Sequence, residues 1–236
     1  MLPMASLPVG TVTFLFSNIE GSTRLFQQLG DRYGELVSKH RRVIRESAAD
    51  AGGTEIDAQG DALFFSFPRA RDAVSCALAA QLGLGAERWP GETEVKVRMG
   101  LHTGEPTLGE EGYLGLDVVR GARIASAAHG GQVLVSETTR ALLPADLPGG
   151  AETIDLGQHS LKDLERAEHL FQVVAPGLRS DFPPPRADPA GGHKEDLERR
   201  IDEFVNRGLS SVFERFDLEK MESGRWLLKR RDDRTT

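Results

Sequence analysis

The sequence contains a single cysteine, Cys76, among its 236 residues. One thiol excludes an intramolecular disulfide and a cysteine-based zinc cluster, and it fits a reducing compartment, so we expect a cytoplasmic location. The most apolar long stretch, residues 74–86, falls short of the roughly 20 residues that a membrane-spanning helix takes. Residues 1–8 lack the basic and apolar regions of a signal peptide. We therefore expect neither a membrane span nor secretion.

The chain also lacks a surplus of positive charge, since 29 basic residues stand against 36 acidic ones and the net charge is −7. Without an overall positive field there is little to hold a phosphate backbone, so nucleic acid is not an expected partner. Apolar residues make up 39% and charged residues 28%, a balance typical of globular rather than disordered chains. The length suits one large domain, or one domain with an appendage.

The first hundred residues alternate between extended and helical hydrophobic patterns. The predicted elements are a strand at 11–16, a helix from Gly21 to Gly53 that is interrupted near Gly30, a hairpin of strands at 54–57 and 62–67, a helix at 71–84 and a strand at 94–102. This βαββαβ order predicts an α+β fold of the ferredoxin-like group, with helices packed on one face of a mainly antiparallel sheet.

The remaining pattern predicts further elements and a change of composition near residue 176. The elements are a loop at 103–111, a helix at 117–128, a strand at 132–136, a short helix at 137–142 and a hairpin of strands at 153–156 and 169–174. We therefore divide the chain into an N-terminal extension at 1–9, a core domain at 10–176, a proline- and glycine-rich linker at 177–193 and a tail at 194–236. Helical spacing of apolar residues predicts that the tail is an amphipathic helix that contacts a protein partner.

The segment after the first strand predicts a phosphate-binding loop. A strand that ends at Asn18 and leads into a helix at Gly21 directs the backbone N–H groups of residues 19–23 toward a ligand above the sheet edge. The turn of the next hairpin presents Asp61 beside this loop. The candidate phosphate-binding residues in the loop are Glu20, Gly21, Ser22 and Thr23.

Four motifs in register carry a resemblance that extends over about residues 10–176. They are FLFSNIEGSTRL at 14–25, QGDA at 59–62, HTGE at 102–105 and YLGLDVVRGARI at 113–124. In this order they resemble the class III nucleotidyl cyclase catalytic domain, and the wording EGSTRL and HGGQVLVS resembles its bacterial, especially actinobacterial, branch. The resemblance implies an enzyme of cyclic-nucleotide signalling, which converts ATP or GTP into a 3′,5′-cyclic monophosphate and diphosphate.

The resemblance also implies a metal site, from which this sequence departs. In the family two aspartates, helped by a backbone carbonyl at the position of Ile19, bind two divalent cations, Mg2+ or Mn2+. Asp61 keeps one aspartate, but position 18 is asparagine, which offers a neutral oxygen and no charge. We expect this change to weaken most the cation that activates the ribose 3′-hydroxyl. The alternative interpretation is that Asp61 is only a turn residue.

The base-binding positions implied by the resemblance are altered too. The family reads adenine with a lysine and with an aspartate or threonine, and these positions are Asp57 and Gly112 here. A carboxylate at Asp57 can accept from a ring N–H of guanine or uracil, and guanylate-forming relatives carry an acidic residue there, so GTP is one hypothesis. The other is that Asp57 is an ordinary exposed hairpin residue.

The family stabilises the transition state with an asparagine and an arginine four residues apart on one helix face. They correspond to Val119 and Arg123, so only the arginine remains, as the candidate catalytic residue. Lys162 occupies the place of a phosphate-binding lysine. Both cations have the alternative interpretation of a solvated surface charge. No serine, histidine and aspartate grouping argues for hydrolysis, and we interpret His102 as structural.

Family members act as dimers with composite sites at the interface, so a homodimer is implied. Every site of a homodimer would combine Asn18 with Val119, and no copy would supply what the other lacks. The first hypothesis is therefore a cyclase-like domain with weak or altered activity. The alternative is a catalytically inactive pseudo-cyclase that acts as a nucleotide-sensing or dimerisation module. A heterodimer with an intact cyclase is a third possibility, for which Val119 and Gly112 make this chain a poor donor.

Overall fold

The computed structural model describes residues 7–109, 112–186, 216–220 and 226–230. Its strands are β1 (Val12–Ile19), β2 (Thr54–Gln59), β3 (Ala62–Phe67), β4 (Val97–Gly104), β5 (Thr107–Gly109), β6 (Gly112–Leu114), β7 (Val133–Ser136), β8 (Glu152–His159), β9 (Glu168–Val174), β10 (Phe216–Lys220) and β11 (Trp226–Arg230). Its helices are α1 (Ser22–Leu29), α2 (Tyr33–Asp50), α3 (Ala70–Ala86), α4 (Leu116–Ala127) and α5 (Glu137–Ala141). Among the described residues, no helix combines the length and apolar character that crossing a membrane takes.

The described strands form one seven-stranded sheet in the order β2-β3-β1-β4-β7-β9-β8, with separate hairpins β5-β6 and β10-β11. Neighbours in the large sheet are antiparallel except for the parallel pair β4-β7. From β1 to β4 the elements follow the βαββαβ order with the two helices α1 and α2 in the first connection. The predicted α+β fold with a mainly antiparallel sheet is therefore confirmed.

The central strand β1 is buried along its whole length because both faces of the sheet are covered. Alternate residues of a strand face opposite sides. Leu15 and Ile19 pack into a core with α2 and α3, whereas Phe14 and Phe16 belong to a second core with residues of α4. The prediction of helices on a single face is thus wrong for α4. A strand buried on both faces reads as a continuous apolar run, which hides the second layer from sequence patterns.

The structure confirms one local prediction and corrects another. The helix expected after β1 is interrupted near Gly30, as predicted, and consists of α1 and α2 with a short 3-10 turn at Gly30–Arg32 between them. Gly30 has a φ of 54°, a left-handed conformation that glycine adopts without steric cost. The loop predicted at 103–111 contains β5, which pairs antiparallel with β6.

The chain after β9 packs against the core domain. We call residues 178–186 the C-terminal strap. The Arg186 N–H donates to the Ala127 carbonyl at 2.9 Å, and Pro185 is buried. The prediction of an unpacked linker at 177–193 is therefore wrong for the strap. Its proline content does not prevent packing, because a hydrogen bond and a buried proline hold the strap against the core domain.

The tail does not follow the helical prediction where the structure describes it. β10 and β11 pair antiparallel over ten residues, so the predicted amphipathic helix at 194–236 is wrong for these two segments. The other tail residues, with linker residues 187–193, lie outside the described residues, as do residues 1–6 of the N-terminal extension.

Candidate functional site

The end of β1 and the β2-β3 turn bring Asn18 and Asp61 into direct contact. The Asn18 amide Nδ2 donates to Asp61 Oδ2 at 2.9 Å, and the Ile19 N–H donates to the same oxygen at 3.0 Å. Asp61 is fully buried, and Asn18 is 2% exposed. The Asp61 carboxylate is therefore held in place by two N–H donors from the adjacent strand, which a simple turn residue does not need.

Arg98 is a residue of this site that the sequence analysis missed. The antiparallel register of β1 and β4 sets Arg98 opposite Asn18, and Arg98 Nη2 lies 3.5 Å from Asn18 Oδ1. Arg98 is 3% exposed. Its signal in the sequence is weak, because Lys96 and Arg98 both alternate with apolar residues at 95–99. Only the burial of Arg98 singles it out, since a buried charge is retained only with partners.

The donor set at Asn18 and Asp61 does not fit the two-cation site that the family implies. A divalent cation of this kind binds oxygen atoms, and two of them need several carboxylates. Asp61 supplies one carboxylate here, while Asn18 turns its N–H toward that carboxylate. No group of three histidine, cysteine, aspartate or glutamate side chains within the described residues is arranged to hold a metal ion.

Two N–H groups of the predicted phosphate loop have acceptors inside the protein. Gly21 has a φ of 67° and precedes α1, which lets the chain turn sharply from strand to helix. The Ile19 N–H is used by Asp61, and the Glu20 N–H donates to the Lys96 carbonyl at 2.8 Å. The prediction of a cradle built from all N–H groups of residues 19–23 is therefore wrong for its first two members.

The side chains of the loop differ in their surroundings. Ser22 is buried at the start of α1, whereas Thr23 is exposed. The Glu20 carboxylate forms an ion pair with Arg186 of the C-terminal strap. Glu20 is thus neutralised from a part of the chain that the sequence analysis assigned to a linker.

The two predicted base-binding positions lie near each other. A Cβ on Gly112 would stand 3.8 Å from Cγ2 of Ile56, the neighbour of Asp57. The Asp57 carboxylate accepts the Ala58 N–H at 2.8 Å and the Gln59 side-chain amide at 3.0 Å. Asp57 is therefore half-buried and engaged in local bonds, and recognition of a base by this carboxylate stays a prediction.

Arg123 of α4 meets the loop that follows β8. Its guanidinium forms an ion pair with Asp163, next to Lys162. Arg123 is 4% exposed, while the Asp163 side chain is 53% exposed. Asp163 has a φ of 60°, a left-handed conformation uncommon outside glycine. The structure brings Arg123 and Lys162 to one region, with Val119 one turn earlier on α4.

His102 joins a serine and an aspartate in a hydrogen-bonded grouping that the sequence analysis did not identify. The two ring nitrogens of His102 hydrogen bond to Ser136 Oγ at 2.8 Å and Asp117 Oδ1 at 3.2 Å. Hydrogen bonding to His102 lowers the pKa of Asp117. Ser136 is fully buried and caps α5 through the Thr139 N–H, so no substrate reaches its hydroxyl. The grouping ties β4 to the start of α4, as the structural interpretation of His102 predicts.

Comparison with known sequences gives the family. The model of the adenylate and guanylate cyclase catalytic domain matches residues 4–171, and the chain therefore belongs to this class III nucleotidyl cyclase family. An uncharacterised protein of Mycobacterium tuberculosis strain H37Rv is 37% identical over 181 residues, which are 76% of this chain and 61% of that protein. The chain thus spans about three fifths of the length of this relative.

Known adenylate cyclases and solved structures extend the likeness. The adenylate cyclase of Neurospora crassa is 28% identical over 66% of this chain and 8% of its own length. A structure of Trypanosoma brucei adenylate cyclases in their monomeric state has a TM-score of 0.69 at 24% identity and covers 77% of this chain and 95% of that one. A structure of the guanylate cyclase domain of RhGC from Catenaria anguillulae in complex with GTP has a TM-score of 0.63 at 20% identity. It covers 70% of this chain and 97% of that one. These likenesses show the cyclase fold.

Proposed function

We propose that this chain binds a nucleoside triphosphate as a homodimer and forms the 3′,5′-cyclic monophosphate several orders of magnitude more slowly than a complete cyclase site. The single observation that carries the slow rate is the direct bond between Asn18 and Asp61. An amide hydrogen bond takes the place of a bridging cation, so nothing at this position lowers the pKa of a ribose hydroxyl.

The residues of the second half-site support the same conclusion. Val119 offers no hydrogen bond to the reacting groups, and Arg123 is engaged by Asp163. Losing one polar contact to a transition state typically costs a factor of about 100 to 1000 in rate. Two such losses reduce the rate further, although effects within one site are rarely additive.

The first experiment is mass-spectrometric detection of cyclic products from each of the four nucleoside triphosphates with Mn2+. We expect a trace of one product from the wild type and at least about tenfold more from Asn18→Asp, which restores the second carboxylate. The control is Asp61→Asn, expected to give no product in either background. Rapid turnover by the wild type would contradict the assignment of the defect to the metal position.

A regulatory module without catalysis is the second candidate, and the C-terminal strap favours it. Arg186 pairs with Glu20 of the phosphate loop, so the strap connects that loop directly to the segment leading into the tail. Nucleotide bound at the loop would then compete with the strap for its position. The assay for cyclic products distinguishes the two candidates. If neither the wild type nor Asn18→Asp forms any cyclic nucleotide, the result supports the regulatory module.

A further inference from the structure

The Asn18 amide is oriented by its neighbours, and this orientation blocks the place of a cation. Nδ2 points at Asp61 and Oδ1 points at Arg98. Turning the amide over would set an oxygen against the carboxylate and an NH2 group against the guanidinium. Both contacts would then lack a complementary partner, since a carboxylate accepts only and a guanidinium donates only. The donor side of Asn18 is therefore fixed toward Asp61.

Positive charge reaches the phosphate loop from three arginines on different parts of the chain. Arg98 comes from β4, and Arg186 comes from the strap and pairs with Glu20. A Cβ on Gly21 would lie 3.7 Å from Arg24 Nη2, so this exposed guanidinium stands beside the loop backbone. Guanidinium groups stay charged and bind phosphate oxygens in a bidentate geometry.

From this arrangement we propose that the chain binds nucleoside triphosphates without a divalent cation. The N–H groups of residues 21–23 and the exposed Arg24 compensate the phosphate charge, and the buried Arg98 adds positive charge from behind Asn18. The inference rests on the proposed function for its ligand. It departs from what the family implies, because the Asn18 to Asp61 bond replaces a cation instead of holding one.

The test measures the affinity of the full-length protein for fluorescent mant-GTP and mant-ATP, in EDTA and in MgCl2. We expect dissociation constants that agree within about threefold, less than the tenfold that corresponds to 1.4 kcal/mol. Asn18→Asp sets a second carboxylate beside Asp61, so its affinity in EDTA should fall at least about tenfold and return with Mg2+. A wild type that loses tenfold or more in EDTA overturns the inference.

Two further variants separate charge from fold. Gln27→Glu adds the same charge on an exposed position of α1, and it should bind like the wild type in both buffers. Arg24→Gln removes an exposed guanidinium, and we expect weaker binding by about three- to tenfold, equal with and without Mg2+. If Arg24→Gln weakens binding only with Mg2+, the arginine does not replace the cation and the inference fails.

Thermal unfolding without nucleotide tests the cation alone. A ligand that binds the folded state raises the melting temperature. Mn2+ should therefore raise the melting temperature of Asn18→Asp. It should leave the melting temperature of the wild type unchanged, as it should that of the control Gln27→Glu. A saturable rise in the wild type that Asp61→Asn abolishes overturns the inference even if no triphosphate binds. Absence of triphosphate binding in every buffer, with the melting results as expected, contradicts the proposed function instead.

Discussion

His40 on α2 is a fully buried histidine whose two ring nitrogens have no hydrogen-bond partner within the described residues. Burial, helped by the neighbouring charge of Arg41, lowers the pKa of His40 from 6.5 to about 3. The folded protein therefore holds this ring neutral at pH values where the unfolded chain takes up a proton. Its stabilising effect is complete above the unfolded pKa and is lost as the pH falls from about 6.5 toward 3.

We expect the free energy of unfolding to fall by about 2 kcal/mol more between pH 7 and pH 5 in the wild type than in His40→Leu. Urea unfolding at the two pH values measures both proteins. Leucine carries no titrating group, so the difference isolates this histidine from the carboxylates, which titrate lower. Equal losses in wild type and variant would show that His40 is not the group responsible.

Cys76 is inert in the folded protein because burial raises the pKa of its thiol to about 12. The thiolate is the reactive form, and the side chain is fully buried on α3. We expect a colorimetric thiol reagent to detect one thiol per chain in denaturant and none over the same time in native buffer at pH 8. Rapid reaction of the native protein would contradict the packing of α3 on the sheet.

At the scale of elements, the backbones of β4 and α4 approach each other closely at Gly100. A Cβ there would lie 2.2 Å from the backbone nitrogen of Ala125 and 2.5 Å from its Cα. Backbone atoms cannot move aside as a side chain can, so β4 and α4 would have to separate. This approach positions the helix that carries Val119 and Arg123.

Gly100→Ala should lower the free energy of unfolding by about 3 kcal/mol, the upper part of the range for overpacking. Gly85→Ala on α3 is the matched control, because its Cβ meets nothing within 4 Å. The control should be neutral or more stable by up to about 1 kcal/mol, since alanine favours helices. Urea unfolding compares the two, and similar stabilities would show that β4 and α4 are not so tightly packed.

At the scale of the molecule, the C-terminal strap extends the folded unit beyond the predicted domain end at 176. Besides the contacts of Arg186, the Gln172 side-chain amide donates to the Ser180 carbonyl at 2.7 Å. The ring of Phe182 lies parallel to that of His129, with centroids 6.5 Å apart. The strap thus lies against the end of α4, the segment that leads into β7, and β9.

A protein that ends at residue 186 should be more stable than one that ends at 176, by about 1 to 3 kcal/mol, because the shorter chain loses several hydrogen bonds and apolar contacts. Denaturant unfolding of the two truncated chains measures the difference. A third chain that ends at 186 and carries Arg186→Ala isolates the ion pair with Glu20. Equal stability of the chains ending at 176 and 186 would show that the strap is an unpacked linker, as its composition predicts.

Local sequence determined most of the fold and the location of the site. The alternation of apolar residues predicted the βαββαβ order, and glycines such as Gly21 and Gly30 marked the turns, because both signals depend on neighbours along the chain. The resemblance to the family, not a local pattern, assigned Asn18 to the position of a metal-binding aspartate and Val119 to that of an asparagine, and both assignments stay predictions.

Tertiary structure alone decided what these residues contact. The register of β1 with β4 brings Arg98 to Asn18, and the packing of the strap brings Arg186 to Glu20. The distances along the chain are large in both cases, so no local pattern encodes either contact. The hydrogen bond between Asn18 and Asp61 also depends on the tertiary structure. An amide and a carboxylate can form such a bond in principle, but only the folded sheet brings this donor and this acceptor within 2.9 Å of each other.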